Sequence, residues 1–183
     1  NASGERGRTT PETGENYIIH YLEFDDQGWP HPNDPASGMD LSKAVQVDCA
    51  IASLAHEVEA REVLAVVFVH GWKHSADEND RDVKRFRDII KIHAAQEQDR
   101  KLIGFYIAWN GKTVDFPVAK ELTFWSRKNA AHHVSLGSVR AFFARIKALR
   151  NHYNRPKHAK SKNCGNEWRG ESQTCQLRTL MIG

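Results

Sequence analysis

Two hydrophobic periodicities alternate along the chain. "YIIHYLEF" (17–24) is dense in β-branched and aromatic residues and predicts a strand, with His20 partly buried inside it. "DDQGWPHPNDPASG" (25–38) concentrates Gly, Pro, Asn and Asp and predicts a loop. From about 41 to 60 the period becomes helical: Ala44, Val47, Ile51, Leu54, Ala55 and Val58 form one stripe, and Asp40 or Ser42 is placed to cap it. "VLAVVFV" (63–69) is seven successive apolar residues, the pattern of a strand covered on both faces. Val83, Phe86, Ile89 and Ile90 mark a helix over about 79–97, with Asp80 and Asp82 near its positive end. "LIGFYIAW" (102–109) is a third strand.

A helical region then runs from near Val118 to Asn154, interrupted at Gly137 and stopped by Pro156. Its second part carries the stripe Val139, Phe142, Phe143, Ile146, Leu149 and Tyr153. Residues 156–176 read as a polar, basic loop, and "LRTLMI" (177–182) as a final short strand. Residues 1–16 show no apolar periodicity and are expected to be a disordered lead-in. Strands alternating with helices argue for an α/β fold: a mostly parallel sheet with helices on both faces, an α/β/α sandwich with right-handed crossovers.

Length and charge add limits. The 183 residues are one domain's worth of chain, long enough to bury a core. No apolar run approaches the ~20 residues that cross a bilayer. The chain starts at Asn1 rather than Met, so a removed leader stays open, and with it the compartment, cytoplasmic or exported. The net charge of +3 hides a basic stretch, Arg140–Arg169, in which nine Lys/Arg face a single acid, Glu167. Such a stretch is either a solvated surface or a site for an anionic partner. Cys49 falls within an apolar helical pattern and reads as a small buried hydrophobe. Cys164 and Cys175 flank a polar loop; they pair in an oxidising compartment and are free thiols otherwise.

Candidate chemistry gathers where strands give way to loops. Three such ends stand out: "HGW" (70–72), "WNGK" (109–112) and Gly183. Gly71 lets the backbone turn sharply with no Cβ in the way. A turn of that kind either aims backbone N–H groups at one point, where they stabilise an oxyanion, or simply joins strand to helix with His70 packed beneath it.

"VVFVHGWKHSADEND", between a strand and a helix, resembles the oxyanion-loop segment of α/β-hydrolase fold enzymes. "RTLMIG" resembles that family's fifth strand running into the Gly-x-Ser-x-Gly nucleophile elbow, with Gly183 as its first glycine. "IGFYIAWNGK" and "LTFWSRKNAAHHV" are similar to a bacterial subgroup of predicted hydrolases of this fold. The resemblance spans residues 17–183. It implies the N-terminal part of an α/β-hydrolase domain, hence an incomplete α/β-hydrolase fold. The implied activity is hydrolysis of a small-molecule or lipid ester through a Ser-His-Asp triad, with no cofactor and no metal. The Trp72 backbone N–H becomes an oxyanion donor supported by His70 and Gly71. The triad itself is expected downstream of Gly183, so this segment alone is expected to be inactive, and its last strand to present an unpaired edge that invites aggregation.

Other candidates have plainer readings beside functional ones. Trp109, Phe124 and Trp125 either line an acyl pocket or belong to the core. His70 and His74 are four residues apart, but His70 ends a strand, which is poor geometry for a metal pair, and adjacent His132 and His133 point apart on a helix. Ser75, Ser126, Ser135 and Ser138 read as caps or surface hydroxyls. No dinucleotide fingerprint or phosphate loop is present. No nucleic-acid partner is expected of the hydrolase. The alternative reading is a non-catalytic α/β module whose basic 140–169 segment binds nucleic acid or an acidic lipid surface.

Overall fold

The computed structural model describes residues 10–24, 46–70, 76–97, 99–109, 138–154 and 176–182. The elements are β1 (Glu12–Thr13), β2 (Tyr17–Phe24), α1 (Gln46–Ala60), β3 (Glu62–Val69), α2 (Arg81–Gln96), β4 (Arg100–Trp109), α3 (Ser138–Tyr153) and β5 (Leu177–Ile182). The five strands form one sheet in the order β1-β2-β4-β3-β5. Only β1 is antiparallel; β2, β4, β3 and β5 are parallel.

The longest apolar run takes the middle of the sheet. From Lys101 to Trp109 every residue of β4 is buried, because β2 and β3 flank it and helices cover both faces. Side-chain alternation divides the interior in two. On one face Leu22, Phe24, Val63, Val67, Ile103, Phe105 and Ile107 pack against Leu54 and Val58 of α1 and against Phe142 and Ile146 of α3. On the other, Ile19, Tyr21, Val66, Leu102 and Tyr106 pack against Val83, Phe86 and Ile90 of α2. Gly104 faces α2: a Cβ there would stand 3.0 Å from two atoms of the Phe86 ring, so the bare backbone lets that ring seat on the sheet.

The distribution of helices follows from the strand order. β2 to β3 steps across β4, and β4 to β5 steps across β3 in the same direction, whereas β3 to β4 steps back. Crossovers of one hand must then put α1 and α3 on one face and α2 on the other, which is the arrangement seen.

Polar side chains fix the places where the chain changes direction. Asp80 caps α2, its carboxylate accepting the Asp82 N–H at 2.8 Å. At the other end of α2 the Asn16 amide donates to the carbonyl oxygens of Ala94 in the last helical turn, of the capping Glu97 and of Arg100 at the start of β4, tying the helix end to the sheet. Asn154, just past α3, grips Leu177 both ways: its amide N–H donates to the Leu177 carbonyl (2.8 Å) and its oxygen accepts the Leu177 N–H (3.0 Å). The start of β5 is thereby held like a ladder rung. The Lys101 ammonium, at the buried start of β4, pairs with Glu57 of α1 at 2.9 Å.

Several expectations need correction. Glu12 and Thr13 are not part of a disordered lead-in; they pair with Ile19 and Ile18. A carboxylate anchors them. Glu12 accepts from Arg87 Nε and Lys91 Nζ, both at 2.8 Å, and from the Tyr17 and Tyr21 hydroxyls, both at 3.3 Å. The hydrogen bond to Glu12 is the largest influence holding the Lys91 ammonium above its ordinary pKa. A carboxylate met on both oxygens by two cations ties down a segment with no hydrophobic signal of its own. The helix marked by Val83, Phe86, Ile89 and Ile90 is present as α2, with Ile89 itself 41% exposed beside the buried Phe86 and Ile90. Cys49 is half-buried rather than buried. The described part of α1 begins at Gln46, so Ala44 and the caps proposed at Asp40 and Ser42 lie outside the described residues, as do 118–137 and both Cys164 and Cys175.

Two predictions concern this framework. His20 is buried more completely than expected. Its ring stacks on Phe105 (5.6 Å between centroids, 15° between planes), and Nε2 meets no hydrogen-bond partner among the described residues. Burial lowers its pKa to about 4. The unfolded chain therefore takes up this proton first as the pH falls below 6.5, so stability declines between 6.5 and about 4, in total by about 3 kcal/mol. Denaturant titrations across that range should show the decline in the parent chain and a much flatter profile in His20→Leu. Replacing Glu12 by Gln leaves Arg87 and Lys91 without their charge partner and should cost about 2 kcal/mol in the same measurement. A change within a few tenths of a kcal/mol would mean that the β1 anchor carries no stability.

Candidate functional site

The carboxyl ends of β3 and β4 are the natural place to look. The next described helix after β3, α2, lies on one face of the sheet, and the next described helix after β4, α3, lies on the other. In open α/β sheets a crevice forms at such a switch point.

His70 and Trp109 occupy it. His70 follows β3 directly and is 2% exposed; Trp109 ends β4 and is 9% exposed. The His70 N–H donates to the Ile107 carbonyl at 3.2 Å, continuing the ladder one residue past β3. The Trp109 backbone N–H donates to His70 Nε2 at 2.8 Å. The Trp109 indole N–H donates in turn to the His70 carbonyl at 3.3 Å. The two rings lie nearly parallel, 5.6 Å between centroids and 8° between planes.

The stack continues beneath them. His70 also stacks on Tyr106 (5.9 Å, 21°), and Tyr106 on Phe68 (5.3 Å, 25°). Phe68 in turn contacts Phe86 of α2. An aromatic column thus runs from α2 to the tip of the sheet. Accepting an amide N–H at Nε2 requires that this nitrogen be unprotonated, so the neutral ring carries its proton on Nδ1. Burial, with Asp80 and Asp82 adding their negative charge, pushes the Tyr106 phenol well above the usual tyrosine range.

β5 completes the geometry on the far side of β3. Its register runs Val66 to Leu180 and Phe68 to Ile182, so its last described residue stands opposite Phe68, two residues before His70. The segments that follow β3 and β5 therefore leave from the same edge of the sheet, on strands about 4.8 Å apart. Among the described residues β5 is the edge strand, and Leu180 and Met181 are 49% and 64% exposed.

The described residues thus hold His70 and Trp109 among the sequence candidates for the site, and bring them into contact. Trp109 belongs to the core on the α1 and α3 face, and its ring is spent on His70. Gly71, Trp72, His74, Phe124, Trp125, His132, His133 and Gly183 lie outside the described residues, as do Ser75, Ser126 and Ser135. Ser138 is the first residue of α3. Tyr106 and the Trp109 backbone N–H are partners that periodicity gave no reason to single out. Among the described residues no group of three His, Cys, Asp or Glu could hold a metal, and His70 Nε2 is already engaged. In the basic segment, Arg145 pairs with Asp48 of α1 and Arg150 donates to the Thr179 hydroxyl at 3.4 Å, both at the surface. No described helix is long and apolar enough to cross a membrane.

What the sheet and its switch point define is an α/β protein built on a mostly parallel five-stranded sheet. Comparison with family models, with curated proteins and with solved structures finds no match to the chain.

The buried Tyr106 can be tested directly. An alkaline absorbance titration of the parent chain against Tyr106→Phe should show the missing phenol only in the step that accompanies unfolding. A difference developing in the folded protein, in the range of ordinary tyrosines near pH 10, would place Tyr106 in contact with water.

Proposed function

We propose that the chain is the N-terminal part of a serine hydrolase of α/β-hydrolase fold acting on acyl esters. The observation that carries this reading is the adjacency of β3 and β5: parallel neighbours in unbroken register, so that the segments following Val69 and Ile182 start from the same end of the sheet. An oxyanion hole of this type needs that arrangement. One donor comes from the loop after the third strand and the other from the residue after the nucleophile.

In this reading the serine follows Gly183 by two residues, and the acid and the histidine lie further on. The serine oxygen attacks the ester carbonyl while its proton passes to the histidine. The carbonyl oxygen becomes an oxyanion facing the Trp72 N–H. Collapse of the tetrahedral species expels the alcohol, which takes the proton back, and water then releases the acid by the same steps. His70 and Gly71 support the donor: the first fixes the strand end, the second allows the bend. Phe124 and Trp125 are assigned to the acyl pocket. The substrate class is a small-molecule or lipid ester, with no cofactor. The competing reading is an anion-binding surface over 140–169, of which the described part offers the exposed side chains of Arg145 and Arg150.

The test uses a protein that carries this segment together with the residues following Gly183. It should hydrolyse p-nitrophenyl esters. Gly71→Val, which puts a branched side chain into the turn, should lower kcat/KM by about a hundredfold or more, as expected for a lost oxyanion donor worth about 3 kcal/mol, while circular dichroism stays unchanged. Undiminished turnover in that variant would remove the assigned role.

A further inference from the structure

We propose that Arg87, Lys91, Tyr17 and Tyr21 form a binding site for the phosphate group of a phosphate monoester, in which Glu12 is a tethered occupant that the free ligand displaces. The site stands apart from the hydrolase reading and does not rest on it. Arg87 and Lys91 are one turn apart on α2 and share a helix face. Tyr17 and Tyr21 stand on the same face of β2, the face that α2 covers. All four send a donor to one carboxylate. Arg87 Nε and Lys91 Nζ reach Glu12 at 2.8 Å, and both hydroxyls reach it at 3.3 Å.

A carboxylate fills this site incompletely. Two cations face its single negative charge. Arg87 holds Glu12 through Nε, while Nη2 of the same guanidinium is buried and meets no hydrogen-bond partner among the described residues. A buried donor without an acceptor is costly, and a guanidinium is a fork whose several N–H groups match the oxygens of a phosphate. A phosphate dianion balances both cations and offers more acceptor oxygens than a carboxylate. The Lys91 side chain is 43% exposed and lies over the Tyr17 ring, so the site opens to solvent on that side and leaves room for the ester substituent.

The tether is short and has a fixed root. β1 meets β2 through two residue pairs, Glu12 with Ile19 and Thr13 with Ile18. The turn behind it closes through the Gly14 N–H on the Tyr17 carbonyl at 3.0 Å. A Cβ at Gly14 would stand 2.7 Å from two atoms of the Tyr17 ring, so the glycine lets that ring lie against the turn. Asn16 is held firmly: its amide binds three carbonyls at the end of α2 and the start of β4, and its own carbonyl accepts the Leu102 N–H. Release of Glu12 therefore frees the arm as far as Asn16 and leaves all four donors in place on α2 and β2.

Glu12→Ala empties the site. At constant ionic strength, phenyl phosphate should then shift the Arg87 Nε resonance saturably, with an affinity at least about tenfold above that for acetate. The parent chain should bind it about tenfold more weakly than the variant, because Glu12 competes as a tethered ligand. The same ligand at ten times its Kd should raise the Tm of Glu12→Ala by about 4 °C beyond any rise in the parent chain. Adding Arg87→Gln to Glu12→Ala should abolish both effects. In the parent chain, high phenyl phosphate should accelerate exchange of the Gly14 amide and leave that of Leu102 unchanged. Glu12→Gln, which keeps the side chain and removes its charge, supplies the same comparison if Glu12→Ala does not fold. No saturable shift in the variant that folds, equal affinity for acetate, or an equal Tm rise in parent and variant each overturn the site. Binding of inorganic phosphate without phenyl phosphate overturns the ester as its ligand.

Discussion

The pairing of β3 between β4 and β5 is the constraint on which the molecule turns. Seven consecutive apolar residues, Val63–Val69, can be buried only if strands flank them and both faces are covered. β4 supplies one flank over the whole length of the strand and β5 the other. Pairing in a sheet has a period of two, so a slip of one residue would turn Val63, Ala65 and Val67 away from α1 and α3 toward α2. Register is therefore set by burial, and with it the height at which each strand ends. That is why His70, Trp109 and Ile182 finish near a common edge although they are far apart in the chain.

The polar groups work within that frame. Asn16, Asn154 and Glu12 each fasten a chain end where the ladder stops, and each does so with two or more hydrogen bonds. The contact between His70 and Trp109 belongs to the same class, placed at the switch point rather than at the closed end of the sheet. Its ring stack joins the aromatic column that descends through Tyr106 and Phe68 to α2. α2 thus braces the carboxyl end of β3.

Much of this is local and could be read from residues. The run 17–24 is a strand to the residue, and Asp80 heads a helix as its charge and capping oxygen suggest. What could not be read is non-local. Nothing in the periodicity of "LRTLMI" says that it pairs with β3 and not with β2, because order in a sheet is decided by contacts between distant segments. Glu12 looked like part of a featureless leader because its anchor, Arg87 and Lys91, lies some eighty residues on. Trp109 was assigned to either pocket or core by its size, since an indole donor has no address in the sequence until its carbonyl partner is in place. His70 was legible as the residue that follows a buried strand, whereas Gly71 lies outside the described residues, and the use of this strand end rests on the resemblance and on the adjacency of β3 and β5.

That use has one direct measurement. A chain carrying the residues beyond Gly183 can be treated with an alkyl phosphonate ester, which bonds covalently to an activated serine and leaves a tetrahedral phosphorus, and its crystal structure determined. The account predicts phosphorus on the serine two residues after Gly183, with a phosphonyl oxygen about 3 Å from the Trp72 backbone nitrogen. An adduct whose oxygen is turned away from the His70-Gly71-Trp72 turn, or no adduct at all, would contradict it.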